Sequence, residues 1–274
     1  MSKISSKINE IKQNGFSLFT NENILEESDI TKLKSFLKYQ FDNNIGLNVK
    51  SDTTPVIDDI LGRDKEIDKI IEKIILNEVF QKVTSDILGK DFKIWEISSR
   101  ISIGTDKGLS MHQDAEGQMN FWFILSDQQK PSGVTAFLPK SHLLNRSASK
   151  VGWSPISISR FFLKPLMGKD GDFAFFINKT WHARLPNISG ENNFTMAIGM
   201  FAEDSSFKNN SVYKSRDLSH LEKIKKYLLF ENNNNFQNES FCMSIEKNNK
   251  INIKILLLNI LFFPILIIRK FKNN

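Results

Sequence analysis

The sequence has almost no cysteine, and no apolar stretch lies near its N-terminus. Its single cysteine, Cys242, cannot form an intramolecular disulfide, which is typical of proteins kept in a reducing compartment. The first sixteen residues, MSKISSKINEIKQNGF, lack the apolar core of a secretory signal. Both absences argue against a disulfide-stabilised secreted domain and favour a cytoplasmic location.

The chain also has little net charge outside its last residues. Its formal net charge is +6, and four of these charges come from residues 251–274, which contain no acid and carry Lys254, Arg269, Lys270 and Lys272. The rest of the chain is left with +2 and has no basic stripe interleaved with aromatic side chains. We therefore expect no nucleic-acid partner.

The remaining composition is that of an ordinary globular protein. Hydrophobic residues make up 40% of the chain and charged residues 25%, which is enough apolar material for a real core. A length of 274 residues fits one sizeable β-rich domain. We predict a folded domain over residues 1–230, a polar Asn-rich linker over 231–250 and a hydrophobic, basic tail over 251–274.

Helical patterns come first along the chain. We predict a short helix over residues 6–13, a strand over 16–19, and a helix that Asn23 or Ser28 caps and that runs to Phe41. Apolar residues at helical spacing then predict a helix over 64–87. A last helix is expected over about 217–230.

Short strands follow the helices. From residue 92 the apolar period changes to two, and β-rich runs separated by turn signals cover residues 92–103, 119–125, 134–138, 158–163, 172–177 and 194–202. Helices followed by many short strands predict a mainly β fold with flanking helices, either a sandwich or a barrel.

The sequence has four histidines that could bind a metal or take part in catalysis: His112, His142, His182 and His220. In an extended segment His112 and Asp114 project from the same face, because side chains alternate along a strand. A second histidine from a distant strand would complete a two-histidine, one-carboxylate set, which is typical of non-haem iron(II) oxygenases. His182 follows a buried strand and fits that role. His142 lies in a loop and is expected to be structural, and His220 is expected to be solvated.

Several segments occur in an order that resembles the phytanoyl-CoA dioxygenase family. They are IKQNGF at residues 11–16, MHQD at 111–114, SGVTAFLPKSH at 132–142, GDFAFF at 171–176 and WH at 181–182. The resemblance spans about residues 6–204. It implies a double-stranded β-helix, that is, a cupin-like jelly-roll, with His112, Asp114 and His182 as iron(II) ligands. It also implies 2-oxoglutarate and O₂ as co-substrates, and it makes Ser141-His142 a structural turn.

One position departs from the pattern of that family. Eleven residues beyond His182, where the family carries an arginine that pairs with the distal carboxylate of 2-oxoglutarate, this chain has Asn193. An amide cannot replace a bidentate guanidinium. Arg184, two residues after His182, is a candidate substitute from the same strand face, or else a surface residue. Gln113, Trp122 and Asn193 are expected beside the co-substrate.

The function and the tail leave alternatives open. The chain is predicted to be a hydroxylase, because related halogenases have Ala or Gly in place of Asp114; a catalytically silent jelly-roll or a cupin-like metalloprotein without 2-oxoglutarate are alternatives. Residues 251–272 fit an interfacial membrane contact, or a helix packed on the barrel or on a partner. The substrate is expected to be a small molecule, or a lipid-linked one if the tail touches membrane.

Overall fold

The structure is a computed structural model that describes residues 3–20, 22–49, 54–128, 132–144, 162–202 and 217–228. The α-helices in these residues are α1 (Lys3–Asn14), α2 (Glu27–Asp42), α3 (Lys65–Leu76) and α4 (Glu78–Leu88). Short 3₁₀-helices occur at Ser141–Leu143, Ser219–Leu221 and Lys225–Tyr227. None of the described helices is long and apolar enough to cross a membrane.

The described strands form two antiparallel sheets. They are β1 (Phe16–Phe19), β2 (Leu47–Val49), β3 (Pro55–Ile57), β4 (Lys93–Ser102), β5 (Leu109–His112), β6 (Gln118–Ile124), β7 (Thr135–Phe137), β8 (Lys164–Pro165), β9 (Phe173–Ile177), β10 (His182–Arg184) and β11 (Asn193–Phe201). The major sheet has the order β1-β9-β6-β11-β4-β3-β2, and the minor sheet has the order β5-β10-β7-β8.

The two sheets face each other across a shared interior. Phe137 of the minor sheet stacks on Phe16 of the major sheet, with ring centroids 4.7 Å apart, and packs against Phe176 at 5.0 Å. Trp122 and Ala174 belong to the same apolar cluster. Because these residues alternate with others that face the helices, each strand of the major sheet has one inner and one outer side. The jelly-roll predicted from the sequence is confirmed.

The outer side of the major sheet packs against the helices. Phe121 lies there between Phe80 of α4 and Phe175 of β9, with ring centroids 5.2 and 5.1 Å away. Aliphatic side chains of α3 and of β4 complete this large core, which contains Ile71 and Ile97. The helices and one face of the sheet therefore form an apolar layer, and the opposite face of the sheet is left for the interior of the barrel.

The predicted strands agree with the structure to within two residues at six positions. Those predicted over 16–19, 92–103, 119–125, 134–138, 172–177 and 194–202 correspond to β1, β4, β6, β7, β9 and β11. Most of the strand predicted over 158–163 lies outside the described residues, and Phe162 and Leu163 are not in a strand. The sequence did not predict β2, β3, β5, β8 and β10, which are two to four residues long.

The single helix predicted over residues 64–87 was wrong, because two helices meet at Asn77. Asn77 has an extended backbone (φ −62°, ψ 138°), and its side chain accepts a hydrogen bond from the backbone N–H of Val79. Asparagine favours such caps over helix interiors. The predicted caps of α2 were also wrong, since Glu26 occupies the N-cap position and Ser28 lies inside the first turn.

The helix predicted over residues 217–230 was likewise wrong. Its described part, residues 217–228, contains two 3₁₀-helices, and the chain then forms a bridge from Leu228 to Ile94 of β4. Leu218, Leu221 and Ile224 are all buried. Their spacing of three residues matches the period of a 3₁₀-helix, which places all three on one side. The predicted linker and tail, residues 231–250 and 251–274, lie outside the described residues.

Candidate metal centre

Antiparallel pairing brings the two candidate histidines together. His182, the first residue of β10, pairs directly with His112, the last residue of β5. Paired residues on neighbouring strands carry their side chains on the same face. The two imidazole rings consequently lie with their centroids 4.2 Å apart.

The carboxylate joins them just beyond the end of β5. The backbone N–H of Asp114 donates to the carbonyl oxygen of Asn178 (3.0 Å), which fixes the turn after His112. One Asp114 carboxylate oxygen, Oδ2, lies 3.7 Å from His182 Nε2. One ligand atom from each of His112, Asp114 and His182 lies within 4.8 Å of the other two. The structure therefore brings together the three residues that the sequence singled out.

Both imidazoles are oriented by their own strands. His112 Nδ1 lies 2.8 Å from the carbonyl oxygen of Ser110, and His182 Nδ1 lies 2.8 Å from that of Thr180. A carbonyl only accepts, so each Nδ1 donates, and in the neutral form of such a ring Nε2 has a free lone pair. This is the tautomer in which a histidine binds a metal through Nε2.

Burial keeps His182 neutral. Its side chain is 6% exposed, and its ring lies 5.6 Å from those of both Phe137 and Phe176. Burial, and then the neighbouring His112, lower the pKa of His182 to about 4, although Asp114 opposes the shift. At neutral pH the imidazole is thus an electron-pair donor and not a cation.

A buried network of amides supports the turn that carries Asp114. The side chain of Asn120 donates to the Asn178 side chain (2.9 Å), which in turn donates to Gln118 (3.0 Å). Asn178 also receives the Asp114 N–H through its backbone, so the network holds the carboxylate in place. Sequence reasoning missed these residues. The spacing of Gln118 and Asn120 by two residues on a strand was the one available signal.

Arg184 faces the same side of β10 as His182 and is buried. Its Nη2 donates to Oδ2 of Asp106, and its Nη1 donates to Oγ1 of Thr54, both at 2.5 Å. Asp106, whose side chain is 1% exposed, already balances the guanidinium charge. Arg184 Nε is buried and has no hydrogen-bond partner among the described residues. Arg184 is thus an interior residue with a spare donor.

The other predicted co-substrate neighbours differ in position. Trp122 lies on the inner face, with its ring nearly perpendicular to that of Phe176 and the two centroids 5.1 Å apart. Asn193 begins β11, is buried, and its side chain donates to the carbonyl oxygen of Ser132. Gln113 is half-buried between the two ligand residues. Asn193 thus has a structural hydrogen bond in place of the ionic contact that an arginine would make.

The two remaining histidines lie outside this site. His142 sits in the 3₁₀-turn whose Ser141 hydroxyl donates to the Leu138 carbonyl and accepts from the Trp181 N–H. His220, which the sequence predicted to be solvated, instead has its Nε2 2.8 Å from Oδ2 of Asp68, a carboxylate that is 1% exposed. That prediction was wrong, because the 3₁₀-helix at Ser219–Leu221 packs His220 onto α3.

Comparison with solved structures supports the jelly-roll fold. HygX from Streptomyces hygroscopicus with nickel and 2-oxoglutarate bound is similar with a TM-score of 0.62, at 13% identity over 80% of this chain and 94% of that one. The non-haem α-ketoglutarate-dependent epimerase SnoN from nogalamycin biosynthesis is similar with a TM-score of 0.58, at 11% identity over 73% and 83%. AviO1 from Streptomyces viridochromogenes Tue57 gives 0.58, at 13% identity over 76% and 99%.

A comparison with family models agrees with the motifs of the chain. The search of curated protein sequences gave no match. The family model for phytanoyl-CoA dioxygenase (PhyH) matches residues 19–192, which is more than half of the chain. That range contains the paired histidines and the carboxylate. The chain therefore belongs to the phytanoyl-CoA dioxygenase family, whose members use iron(II), 2-oxoglutarate and O₂.

Proposed function

We propose that the chain is an iron(II)- and 2-oxoglutarate-dependent dioxygenase in which His112, Asp114 and His182 hold the iron. The observation that carries this proposal is the convergence of their ligand atoms, within 4.8 Å of one another, at the barrel interior. Two imidazoles and one carboxylate are the donor set that suits iron(II) and leaves three positions of an octahedron open. When bound, iron(II) supplies the activation of O₂ that oxidises the substrate while 2-oxoglutarate becomes succinate and CO₂.

The residues around the three ligands suit this chemistry. The carbonyls of Ser110 and Thr180 hold both imidazoles with Nε2 available, and the amide network of Asn178 holds Asp114. Phe137 and Phe176 cover one side of the His182 ring and exclude water from it. A rigid, partly dry site favours oxidation of a positioned substrate over side reactions.

Arg184 suits the distal carboxylate of 2-oxoglutarate. Its unpartnered Nε is buried, and leaving such a donor unsatisfied costs about 1–3 kcal/mol. Residues two apart on a strand are separated by roughly 6.7 Å, so Arg184 and His182 lie about one 2-oxoglutarate length apart along β10. We propose that this N–H binds the carboxylate and that Gln113 and Trp122 border the co-substrate.

Hydroxylation is the outcome we propose for the substrate. Asp114 supplies a third protein ligand, so no position is vacated for a halide. The products are then the hydroxylated substrate, succinate and CO₂, with one oxygen atom of O₂ in each of the first two. The substrate is proposed to be a small molecule, or a lipid-linked one if residues 251–272 contact a membrane, and the location is proposed to be cytoplasmic.

Anaerobic spectroscopy tests the site directly. Iron(II) with 2-oxoglutarate should give a weak visible charge-transfer band with the native chain, and His182→Ala and Asp114→Ala should both weaken or abolish it. His220→Gln is the matched control, because glutamine can still donate to Asp68 and should leave the band unchanged. A native chain that binds no iron would indicate a silent jelly-roll. One that binds iron and releases no succinate in air would indicate a metalloprotein that does not use 2-oxoglutarate.

A further inference from the structure

The inner face of β4 carries a row of polar side chains. Glu96, Ser98 and Arg100 alternate along this strand with Ile97 and Ile101, which belong to the core on the helix side. Side chains two residues apart on a strand share a face, so all three polar residues point into the barrel. A charged row is unusual on an interior wall, because charged side chains that leave water need a partner.

These three residues bond to one another. Arg100 Nη2 donates to Oε1 of Glu96, and the Ser98 hydroxyl donates to the same oxygen at 2.6 Å. Residues four apart on an extended strand are separated by roughly 13 Å, so the Arg100 and Glu96 side chains lean toward each other over Ser98. The guanidinium therefore lies along the wall of the barrel.

Small side chains lie beside this row on the neighbouring strand. The neighbouring strand β11 presents Thr195 opposite Arg100 and Ala197 opposite Ser98, and both of these side chains are small. Ala197 in turn pairs with Trp122 of β6, which packs against Phe176 beside His182. The row of β4 thus shares its interior with the candidate metal centre.

Arg184 of the minor sheet and Arg100 of the major sheet both border the segment around β3, because Arg184 donates to Thr54 and Arg100 pairs with Val56. Because Thr54 and Val56 are only two residues apart along this segment, both arginines lie at the same end of the barrel. In keeping with this, burial and then the charge of Arg100 lower the pKa of Arg184, while Asp106 opposes the shift.

Each arginine has an acidic partner, but the partners differ. The Arg184–Asp106 pair is almost fully buried, with side chains that are 10% and 1% exposed. The Arg100–Glu96 pair is more open, with side chains that are 30% and 13% exposed.

Arg100 is the arginine whose partner can be exchanged. Glu96 is its one hydrogen-bond partner among the described residues, so most of its donors are available to a ligand. If Arg100 moves away, Glu96 keeps the hydrogen bond from Ser98 and stays partly solvated. Arg184 cannot move in the same way, because Asp106 and Thr54 hold both of its terminal nitrogens.

We propose that Arg100 supplies the positive charge that binds the distal carboxylate of 2-oxoglutarate, and that it exchanges Glu96 for this ligand. Arg184, whose charge Asp106 already balances, adds one hydrogen bond from its Nε. This inference rests on the proposed function. It gives Glu96 a defined role as an internal competitor, because its carboxylate occupies the guanidinium until the co-substrate arrives. Glu96 is therefore a positioning residue that sets the affinity for 2-oxoglutarate and does not touch the reacting atoms.

The test is the affinity of the iron(II)-loaded, anaerobic chain for two ligands of equal length. 2-Oxoglutarate has the distal carboxylate, and 2-oxopentanoate lacks it. Arg100→Met should weaken 2-oxoglutarate binding by about 10- to 100-fold, the effect of losing a charge-assisted hydrogen bond, and leave 2-oxopentanoate binding unchanged. Glu96→Gln should tighten 2-oxoglutarate binding several-fold, an effect that a misfolded variant cannot produce.

The outcomes separate the two proposals. Equal loss of both ligands in Arg100→Met, or weaker 2-oxoglutarate binding in Glu96→Gln, overturns the role of Arg100 and leaves the dioxygenase intact. A native chain that holds iron(II) and binds neither ligand overturns the proposed function itself, and this inference with it. Arg100→Lys provides a second check on folding. The lysine keeps the positive charge but cannot form two parallel hydrogen bonds to a carboxylate. Its affinity for 2-oxoglutarate should therefore lie between those of the native chain and Arg100→Met.

Discussion

His142 illustrates how a single residue can resemble a catalytic group and yet be structural. Its Nε2 lies 3.1 Å from the carbonyl oxygen of Lys12, so this nitrogen donates and the ring ties α1 to the turn after β7. Its Nδ1 packs over Gly15, where a Cβ atom would lie only 2.7 Å away. Gly15 has φ +90°, a conformation that also favours glycine. Burial lowers the pKa of His142, with a smaller contribution from Lys179.

This lowered pKa predicts a dependence of stability on pH. The folded chain holds His142 neutral below the ordinary pKa of 6.5, whereas the unfolded chain binds a proton there. The contribution of His142 to the free energy of unfolding is therefore complete above about pH 6.5 and is lost as the pH falls through the folded pKa. In urea unfolding, the native chain should lose more stability between pH 7.5 and 5.5 than His142→Gln, which keeps a donor for Lys12. Equal losses in the two proteins would contradict this account.

Also at the residue scale, the sequence predicted the candidate metal ligands because they belong to a recognisable spacing pattern. His112 and Asp114 stand two apart in an extended segment, and few residue types bind iron, so the three ligands could be found. The partners of Arg184 could not be found. Thr54 and Asp106 lie 130 and 78 residues away along the chain, and neither is part of a motif. Only the folded barrel brings them to the guanidinium.

At the scale of elements, periodicity predicted which segments are helices and strands better than where they end. The apolar pattern of residues 64–87 continues from Ile75 to Val79 across the break at Asn77, because α3 and α4 bury their apolar residues in the same core. A period of 3.6 residues carries no information about such a break. The short strands β5 and β10 were missed for a related reason, since a pair of alternations is too short to be distinguished from a loop.

The helix caps give a prediction at this scale. Asp64, the N-cap of α3, accepts hydrogen bonds from the backbone N–H groups of Glu66 and Ile67, whereas Glu26, the N-cap of α2, makes no such bond. Asp64→Ala should lower the free energy of unfolding by about 1 kcal/mol. Glu26→Ala removes the same charge from a helix N-terminus and should have a much smaller effect. Urea titration of the two variants measures the difference. Equal destabilisation would mean that the charge, and not the hydrogen bonds, stabilises the helix.

At the scale of the whole molecule, the two faces of the major sheet have different roles: the outer face packs in the core and the inner face lines the interior of the barrel. Its outer face carries the phenylalanine-rich layer of Phe121, Phe123, Phe173 and Phe175, which packs on the helices and accounts for much of the core. Its inner face carries the charged row of β4 and the wall beside the metal centre. Because strand side chains alternate, both faces come from the same strands, and neither set of side chains could be assigned to the helix layer or to the interior before the sheet order was known.

The last described segment, residues 217–228, also belongs to the core. Leu221, Ile224 and Leu228 belong to the core that contains the helices, and His220 fastens this segment to Asp68 of α3. The Lys93 ammonium also donates to the Lys226 carbonyl oxygen at 2.9 Å. These contacts make residues 217–228 part of the packed core, and the domain over residues 1–230 stays a prediction.

A variant that stops after Phe230 tests how the remaining residues relate to that body. The three ligand residues and the core cluster of the described residues lie within residues 1–228, so we expect the variant's anaerobic charge-transfer band and its urea midpoint to match those of the full chain. Residues 251–268 are apolar and are followed by Arg269, Lys270 and Lys272, so the full chain should sediment with vesicles of anionic lipid and the short variant should not. Replacing those three basic residues by glutamine should reduce binding to anionic vesicles more than to neutral ones. A shortened chain with a lower midpoint would show instead that residues 231–274 pack on the domain.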